Sequence, residues 1–474
     1  MRVAFLASEA VPFAKTGGLA DVAAALPKAL REQGVDIILA LPLYAQIDRA
    51  LIKGPPLEIP VDWRGRVKPT LVWRSDASGV PAYLIDAPEY FSRASVYGET
   101  DDHERFAFFG RATLTTFRHL GWTPDIIHGN DWPCGFAIIE LRARRRFDPF
   151  FQKTRTLFTI HNLAYQGSFD ANDVWWLGFG DQRDQNDFML NGRASALKAG
   201  LNAADALSTV SRRYAQEIQT PEYGYGLDWL LRARADRLVG ITNGVDYNVW
   251  NPETDPHIAA NFSLKDLSGK TACKRDLLQR FGLPDQTEAP VIAIISRLVA
   301  QKGYDLIKDV AGAIVESGAF FIVLGSGDRE YEDFLQDLQD AAPRQVGFYR
   351  GYAGEPLAHQ IEAGADMFLM PSAYEPCGLN QMYSMRYATV PIVRATGGLD
   401  DTVENYDPVK GTGNGFKFHA YEAGALLDKI REALYFYSKP AAWQQIQRNG
   451  MMADNSWSAA ALRYTELYQD VVKL

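Results

Sequence analysis

Two short stretches of this chain combine a cation with a place where free backbone amides gather. Lys15-Thr16-Gly17-Gly18-Leu19 follows an early apolar run, and Ser296-Arg297-Leu298 with Gln301-Lys302-Gly303 follows a later one. A cation beside glycines at a helix start suits an anionic diphosphate, because the side chain supplies charge and the loop supplies N–H donors. Glycine also permits close backbone approach. Each stretch read alone is equally a surface loop. A third stretch, Glu375-Pro376-Cys377-Gly378-Leu379, sets a carboxylate able to accept from sugar hydroxyls before amides that open a helix. Cys377 has no histidine pairing that would make it a nucleophile, and it reads as a small packing residue.

Two further segments carry short polar side chains beside aromatics. They are His128-Gly129-Asn130-Asp131-Trp132 and His161-Asn162-Leu163-Ala164-Tyr165-Gln166-Gly167. Hydrogen-bonding groups next to a flat apolar face are what a sugar site uses. A purely structural role for either histidine stays open.

Several machineries are disfavoured. The chain lacks G-x-x-x-x-G-K-[ST], and no G-x-G-x-x-G follows the first apolar run, which argues against P-loop hydrolysis and dinucleotide redox chemistry. D-x-D is absent, so a carboxylate-held metal carrying a diphosphate is not expected. The seven histidines are scattered without ligand spacing, against a zinc site. Lys15, Arg297 and Lys302 would then neutralise the phosphates in place of a metal, and no cofactor is expected. A net charge of −9 argues against a nucleic-acid or membrane partner, either of which would need a basic surface. The run Arg142, Arg144, Arg145 and Arg146 reads as a solvated helix end. Cys134, Cys273 and Cys377 form no C-x-x-C pair and suit a reducing compartment. The first apolar run is short and interrupted by Glu9, unlike a signal peptide or a span. A cytoplasmic protein is expected, with a plastid protein after transit-peptide removal reading the same.

What positions these residues is an alternation of short buried runs with amphipathic stretches. Segments 3–7, 37–41, 83–85, 126–128 and 157–160 read as strands, and 19–30, 106–120 and 135–144 as helices. After Asn243-Gly244-Val245-Asp246 and Asn251-Pro252 turn chemistry thickens, and an irregular stretch runs to Pro290. Strands then restart at 291–296, 320–325, 346–349, 367–370 and 390–393. Trp443 and Trp457 read as packing anchors in a helical C-terminal region. A length of 474 residues requires more than one core. The alternation implies an α/β chain of βαβ units with parallel sheets. The expected domains are 1–245 with a returning segment at about 456–474, and 246–455. Open sheets of this kind bind ligands beyond their strands' carboxyl ends, so two facing halves would enclose a cleft. Thr16-Gly-Gly-Leu-Ala-Asp21 is echoed by Thr396-Gly-Gly-Leu-Asp-Asp401, either as two oxygen-binding helix starts or as two ordinary turns.

The ordered set Lys15-Thr-Gly-Gly-Leu, Asp131-Trp132, His161-Asn162 with Gln166, Asn243-Gly-Val-Asp246, Arg297 with Lys302, Glu375-Pro-Cys-Gly-Leu379 and Thr396-Gly-Gly-Leu399 resembles the bacterial glycogen synthase and starch synthase family along the whole chain. The resemblance implies a GT-B fold, two Rossmann-like domains around a cleft with the last helix returning to the first domain. It implies a retaining glucosyltransferase that moves glucose from ADP-glucose to the non-reducing 4-hydroxyl of an α-1,4-glucan. Its alternatives are a UDP-glucose-using synthase and a non-catalytic glucan-binding or priming paralogue. By the same resemblance Lys15 and Gly18 approach the donor phosphates, Arg297 and Lys302 clamp them, and Glu375 with the amides of Cys377, Gly378 and Leu379 holds the glucose hydroxyls. His161 lies by the reacting sugar with Asn243 nearby, Asp131 and Trp132 sit on the acceptor side, and Tyr352 stacks on the base. Three positions depart from the family pattern. Asn130 stands where many bacterial members carry His. Asn380, in the donor-binding helix start near the phosphates, stands where Thr is common. Tyr383 replaces the second acid of E-x7-E, which favours ADP-glucose over UDP-glucose.

Overall fold

The computed structural model describes residues 1–351 and 354–474, apart from the Glu355 side chain. It divides into two compact units, Met1–Gly244 with Trp457–Leu474, and Val245–Ser456.

The first unit is built on strands β1 (Arg2–Leu6), β2 (Asp36–Pro42), β3 (Lys53–Trp63), β4 (Arg66–Ser75), β5 (Ala82–Asp86), β6 (Ile126–Asn130) and β7 (Arg155–Ile160). A small separate sheet comprises β8 (Ser168–Phe169), β9 (Met189–Leu190) and β10 (Arg193–Ser195), and the main sheet is completed by β11 (Ala206–Thr209) and β12 (Leu238–Gly240). The main sheet runs β12-β11-β7-β6-β1-β2-β5-β4-β3. All neighbours are parallel except the antiparallel edge formed by β3, β4 and β5. From β1 the chain steps to β2 on one side and later to β6 on the other. The strand order therefore reverses between β1 and β6, where a crevice opens beyond the carboxyl ends.

Helix Gly18–Glu32 follows β1 because Leu19, Val22, Ala23, Leu26 and Leu30 recur at helical spacing and are buried. The C-terminal helix Trp457–Lys473 packs on this helix. The Tyr468 hydroxyl lies 2.7 Å from His128 Nδ1, and Gln33 bridges to Ser458 and Thr465. The arginine run at 142–146 ends helix Asp131–Arg144 and is ion-paired within the unit: Arg142 with Asp184 and Asp187, Arg144 with Glu140, Arg145 with Asp205.

The second unit holds a wholly parallel sheet of β13 (Val291–Ile295), β14 (Phe320–Gly325), β15 (Val346–Arg350), β16 (Met367–Met370), β17 (Val390–Arg394) and β18 (Phe416–Phe418), in the order β15-β14-β13-β16-β17-β18. Here the order reverses between β13 and β16. Ile292, Ile294, Phe321 and Val323 join one apolar cluster, while Val291, Ala293, Phe320 and Ile322 join another. Alternate residues thus feed opposite faces, and both faces are covered. Trp443 and Trp457 are both buried. The stretch before Pro290, irregular by sequence, contains helix Ser268–Arg280. No helix among the described residues is long and apolar enough to cross a membrane.

Candidate active site

In the first unit the reversal point gathers the loop after β1 and the ends of β6 and β7. Glu9, 3% exposed just past β1, organises the loop. Its Oε2 accepts from Thr16 N (2.5 Å), Thr16 Oγ1 (2.7 Å) and Gly17 N (3.2 Å), while its Oε1 lies 3.3 Å from the Tyr97 hydroxyl. Lys15 leaves that loop half-exposed, its ammonium 2.7 Å from Asp21, and Gly18 begins the helix beside it. The loop is therefore preformed around a buried carboxylate.

At the end of β6, Asp131 adopts a left-handed backbone, φ 55°, which costs energy for a residue with a Cβ and is retained where geometry matters. Its Oδ1 accepts from His161 N at 2.7 Å and Asn162 N at 3.4 Å, so it ties the ends of β6 and β7 together. Burial pushes its carboxyl up to about 7, opposed by these amides and reinforced by the charge on Glu9. Burial also holds the His161 imidazole down at about 3, so the ring is neutral. Trp132 packs edge-to-face on Phe106 with centroids 5.0 Å apart, and any side chain at Gly167 would overlap its indole. Asn243 is buried, and its Oδ1 has no hydrogen-bond partner among the described residues.

In the second unit the reversal between β13 and β16 opens a pocket of about 200 Å³ lined by Arg297, Lys302, Glu375, Gly378, Leu379 and Asn380. Lys302 ends a short 3-10 turn, Ala300–Lys302. Gly303 follows with φ 80° and lies so close to the Pro371 carbonyl that a Cβ would overlap it. The Lys302 ammonium donates to Glu375 Oε2 at 2.6 Å, and Ser372 Oγ donates to the same oxygen at 3.1 Å. Arg297 is held loosely, 3.4 Å from Gln301 Oε1. Gln301 in turn reaches the Tyr374 carbonyl at 3.1 Å. Asn380 begins helix Asn380–Arg386 and spends its amide nitrogen on the Ile295 carbonyl at 2.8 Å, fixing the helix start to the end of β13. Cys377 is buried behind the loop. Its carbonyl accepts from Gln381.

The two Thr-Gly-Gly segments differ in use. Gly398 N donates to the carbonyls of Glu375 and Pro376, and a Cβ on Gly397 or Gly398 would overlap the carbonyls of Glu375 and Cys377. The second segment buttresses the 375–378 loop from beneath. Tyr352 lies outside the described residues. Among the described residues no three His, Cys, Asp or Glu side chains converge as a metal site.

Residues 2–233 match the family described as starch synthase catalytic domain, and residues 277–449 match glycosyl transferases group 1. A glycogen synthase of Koribacter versatilis is 46% identical across 99% of this chain and 98% of its own length. The chain belongs to the glycogen and starch synthase family. A glycogen synthase of Geobacillus stearothermophilus is 44% identical over 100% of this chain and 98% of its own. The catalytic domain of starch synthase IV from Arabidopsis thaliana, solved bound to ADP and acarbose, superposes with TM-score 0.90 at 33% identity, covering 100% and 99% of the two chains. Sucrose-phosphate synthase of Thermosynechococcus elongatus, 18% identical with TM-score 0.65, shares the fold alone. The fold is GT-B and the chain is a glycosyltransferase of a family that acts on nucleotide sugars and glucans.

Glu9 was not foreseen as a site residue. A carboxylate directly after a buried strand is the signal that could have found it, since burying such a charge demands partners. Ser372 and Tyr97 carried no comparable signal, because their roles depend on long-range neighbours.

Proposed function

We propose that this chain transfers glucose from ADP-glucose to the non-reducing 4-hydroxyl of an α-1,4-glucan with retention of configuration, in the cytoplasm and without a metal. The observation that carries the reading is the pocket at the β13/β16 reversal, where Arg297 and Lys302 stand beside a buried carboxylate. Two cations and one acceptor in a small pocket match a sugar diphosphate, which presents phosphate charge next to hydroxyl donors. The Arabidopsis relative's bound ADP supports the adenine nucleotide.

In this reading Lys15, Arg297 and Lys302 neutralise the departing nucleoside diphosphate. Gly18 approaches the phosphates with Asn380 near them, and the amides of Cys377, Gly378 and Leu379 hold the glucose hydroxyls. Glu375 accepts from glucose hydroxyls, with Lys302 holding its orientation before the donor enters. The acceptor 4-hydroxyl attacks on the face from which the diphosphate leaves, and the leaving phosphate takes its proton. Neither Cys377 nor any other side chain forms a covalent intermediate. Rate acceleration comes from placing fixed charge where negative charge develops and from aligning the two reactants. Asp131, Trp132, His161 and Asn243 serve the reacting sugar and the acceptor.

Donor competition tests this. With glycogen and a short maltooligosaccharide as acceptors, labelled ADP-glucose is expected to be the preferred donor over UDP-glucose. Preference for UDP-glucose would overturn the donor assignment, and donor binding without transfer to either acceptor would overturn the activity.

A further inference from the structure

We infer that Asn130 is a positioning residue that fixes His161 as the Nε2–H tautomer, leaving Nδ1 as a hydrogen-bond acceptor at the sugar-side edge of the first unit. Asn130 is 1% exposed at the last position of β6. Its Nδ2 donates to the Leu6 carbonyl at 2.9 Å and reaches the His128 carbonyl at 3.4 Å. Two carbonyls on that side require the NH₂ group there. Turning the amide over would set its oxygen against the Leu6 oxygen. The Asn130 oxygen therefore faces the other way, 2.9 Å from His161 Nε2. A carbonyl oxygen only accepts, so the proton of that contact sits on Nε2. A neutral imidazole carries one ring proton, and Nδ1 is consequently bare.

The groups around the ring sustain this state. Asp131 directs Oδ1 to the backbone amides of His161 and Asn162. His128 is a buried, neutral ring occupied by Tyr468 and Thr159 at 2.7 and 2.6 Å. Glu9 is engaged with the 16–17 loop. Among the described residues no carboxylate hydrogen-bonds to the His161 ring to favour imidazolium, and desolvation opposes the charged form. The consequence rests on the glucosyltransferase reading. A sugar losing its diphosphate gains positive charge at the anomeric carbon, and a neutral ring adds no like charge beside it. A bare Nδ1 also accepts from a hydroxyl, which an imidazolium cannot do.

The test is ring-nitrogen NMR on the full-length protein labelled with ¹⁵N-histidine. Seven histidines make the His161 signals assignable by comparison with His161→Gln. The parent is expected to show a protonated Nε2 and a bare Nδ1 that do not titrate between about pH 6 and about pH 8. Asn130→Asp puts a carboxylate on Nε2. It should raise the His161 titration midpoint by at least about one unit. Asn130→Ala should yield mixed tautomers. A parent with its proton on Nδ1, or with the same tautomer mixture as Asn130→Ala, would overturn the inference. The ring signals do not depend on any substrate. A correct tautomer in a protein that transfers no glucose would therefore sink the function and spare the tautomer assignment.

Discussion

Burial moves the acid–base chemistry of Asp131 far from that of an ordinary aspartate. Its folded carboxyl is pushed up to about 7 from the usual 3.8, chiefly by desolvation. Below about pH 4 both folded and unfolded chains hold the proton. Between about 4 and about 7 only the folded chain holds it, so the stabilisation is lost as pH rises through that window. Asp131→Asn keeps an acceptor for His161 N and removes the ionisation. Its melting temperature should gain on the parent's between about pH 5 and about pH 8. An equal offset at both pH values would contradict the buried, raised carboxyl. Glu9 sets the neighbouring loop. Glu9→Ala leaves Thr16 N, Thr16 Oγ1 and Gly17 N without their acceptor. If the loop positions Lys15, the KM for donor should rise about tenfold with the fold intact by circular dichroism; an unchanged KM would free the loop from that role.

At the level of elements, close packing around the helices decides what the sheets can present. Helix Asp131–Arg144 lies against helix Ala196–Ala203 so closely that a Cβ on Gly135 would overlap the Ala196 carbonyl. Gly135→Ala should cost about 1–3 kcal/mol, measured by denaturant unfolding, because backbone cannot retreat as a side chain can. An unchanged midpoint would show that the helices slide apart freely. The buried parallel strands were legible in the sequence because continuous apolar runs such as 291–296 and 320–325 are what strands covered on both faces require. The hairpin of β3 and β4 was not legible. Pro55, Pro56, Pro60 and Pro69 argue against strand, yet Pro60 pairs with Pro69 at the sheet edge, where a missing N–H costs little. Its turn, Arg64 and Gly65 with φ 51° and 72°, is the tight type that hairpins favour. Helix Ser268–Arg280 was hidden for another reason: it buries Lys270 and Lys274, whose ammonium groups reach the carbonyls of Ala363 and Tyr387 and the carboxylate of Asp366. Charged residues on an inner face erase the apolar stripe that periodicity detects.

For the molecule as a whole, the C-terminal helix is part of the first unit's core although more than two hundred residues separate it from the rest of that unit. Tyr468 is fully buried and closes the chain Tyr468–His128–Thr159–Ser208 that threads the sheet. Tyr468→Phe leaves His128 Nδ1 buried without its partner and should cost about 1–3 kcal/mol of unfolding free energy. A neutral result would mean that water reaches the ring. The candidate residues were legible as motifs, since each follows a strand that runs to a reversal point. Which of them share a pocket was legible only through the family resemblance, because Arg297 and Glu375 are brought together by β13 and β16, strands adjacent in space with two others between them in the chain. In the proposed function the cations of this pocket carry the departing diphosphate. The most direct measurement is transfer of labelled glucose from ADP-glucose to glycogen by the parent and by Lys302→Ala. Loss of one fixed charge at the developing anion predicts a fall in kcat of about 10²–10³-fold. Elongation by Lys302→Ala at the parent rate would contradict the account.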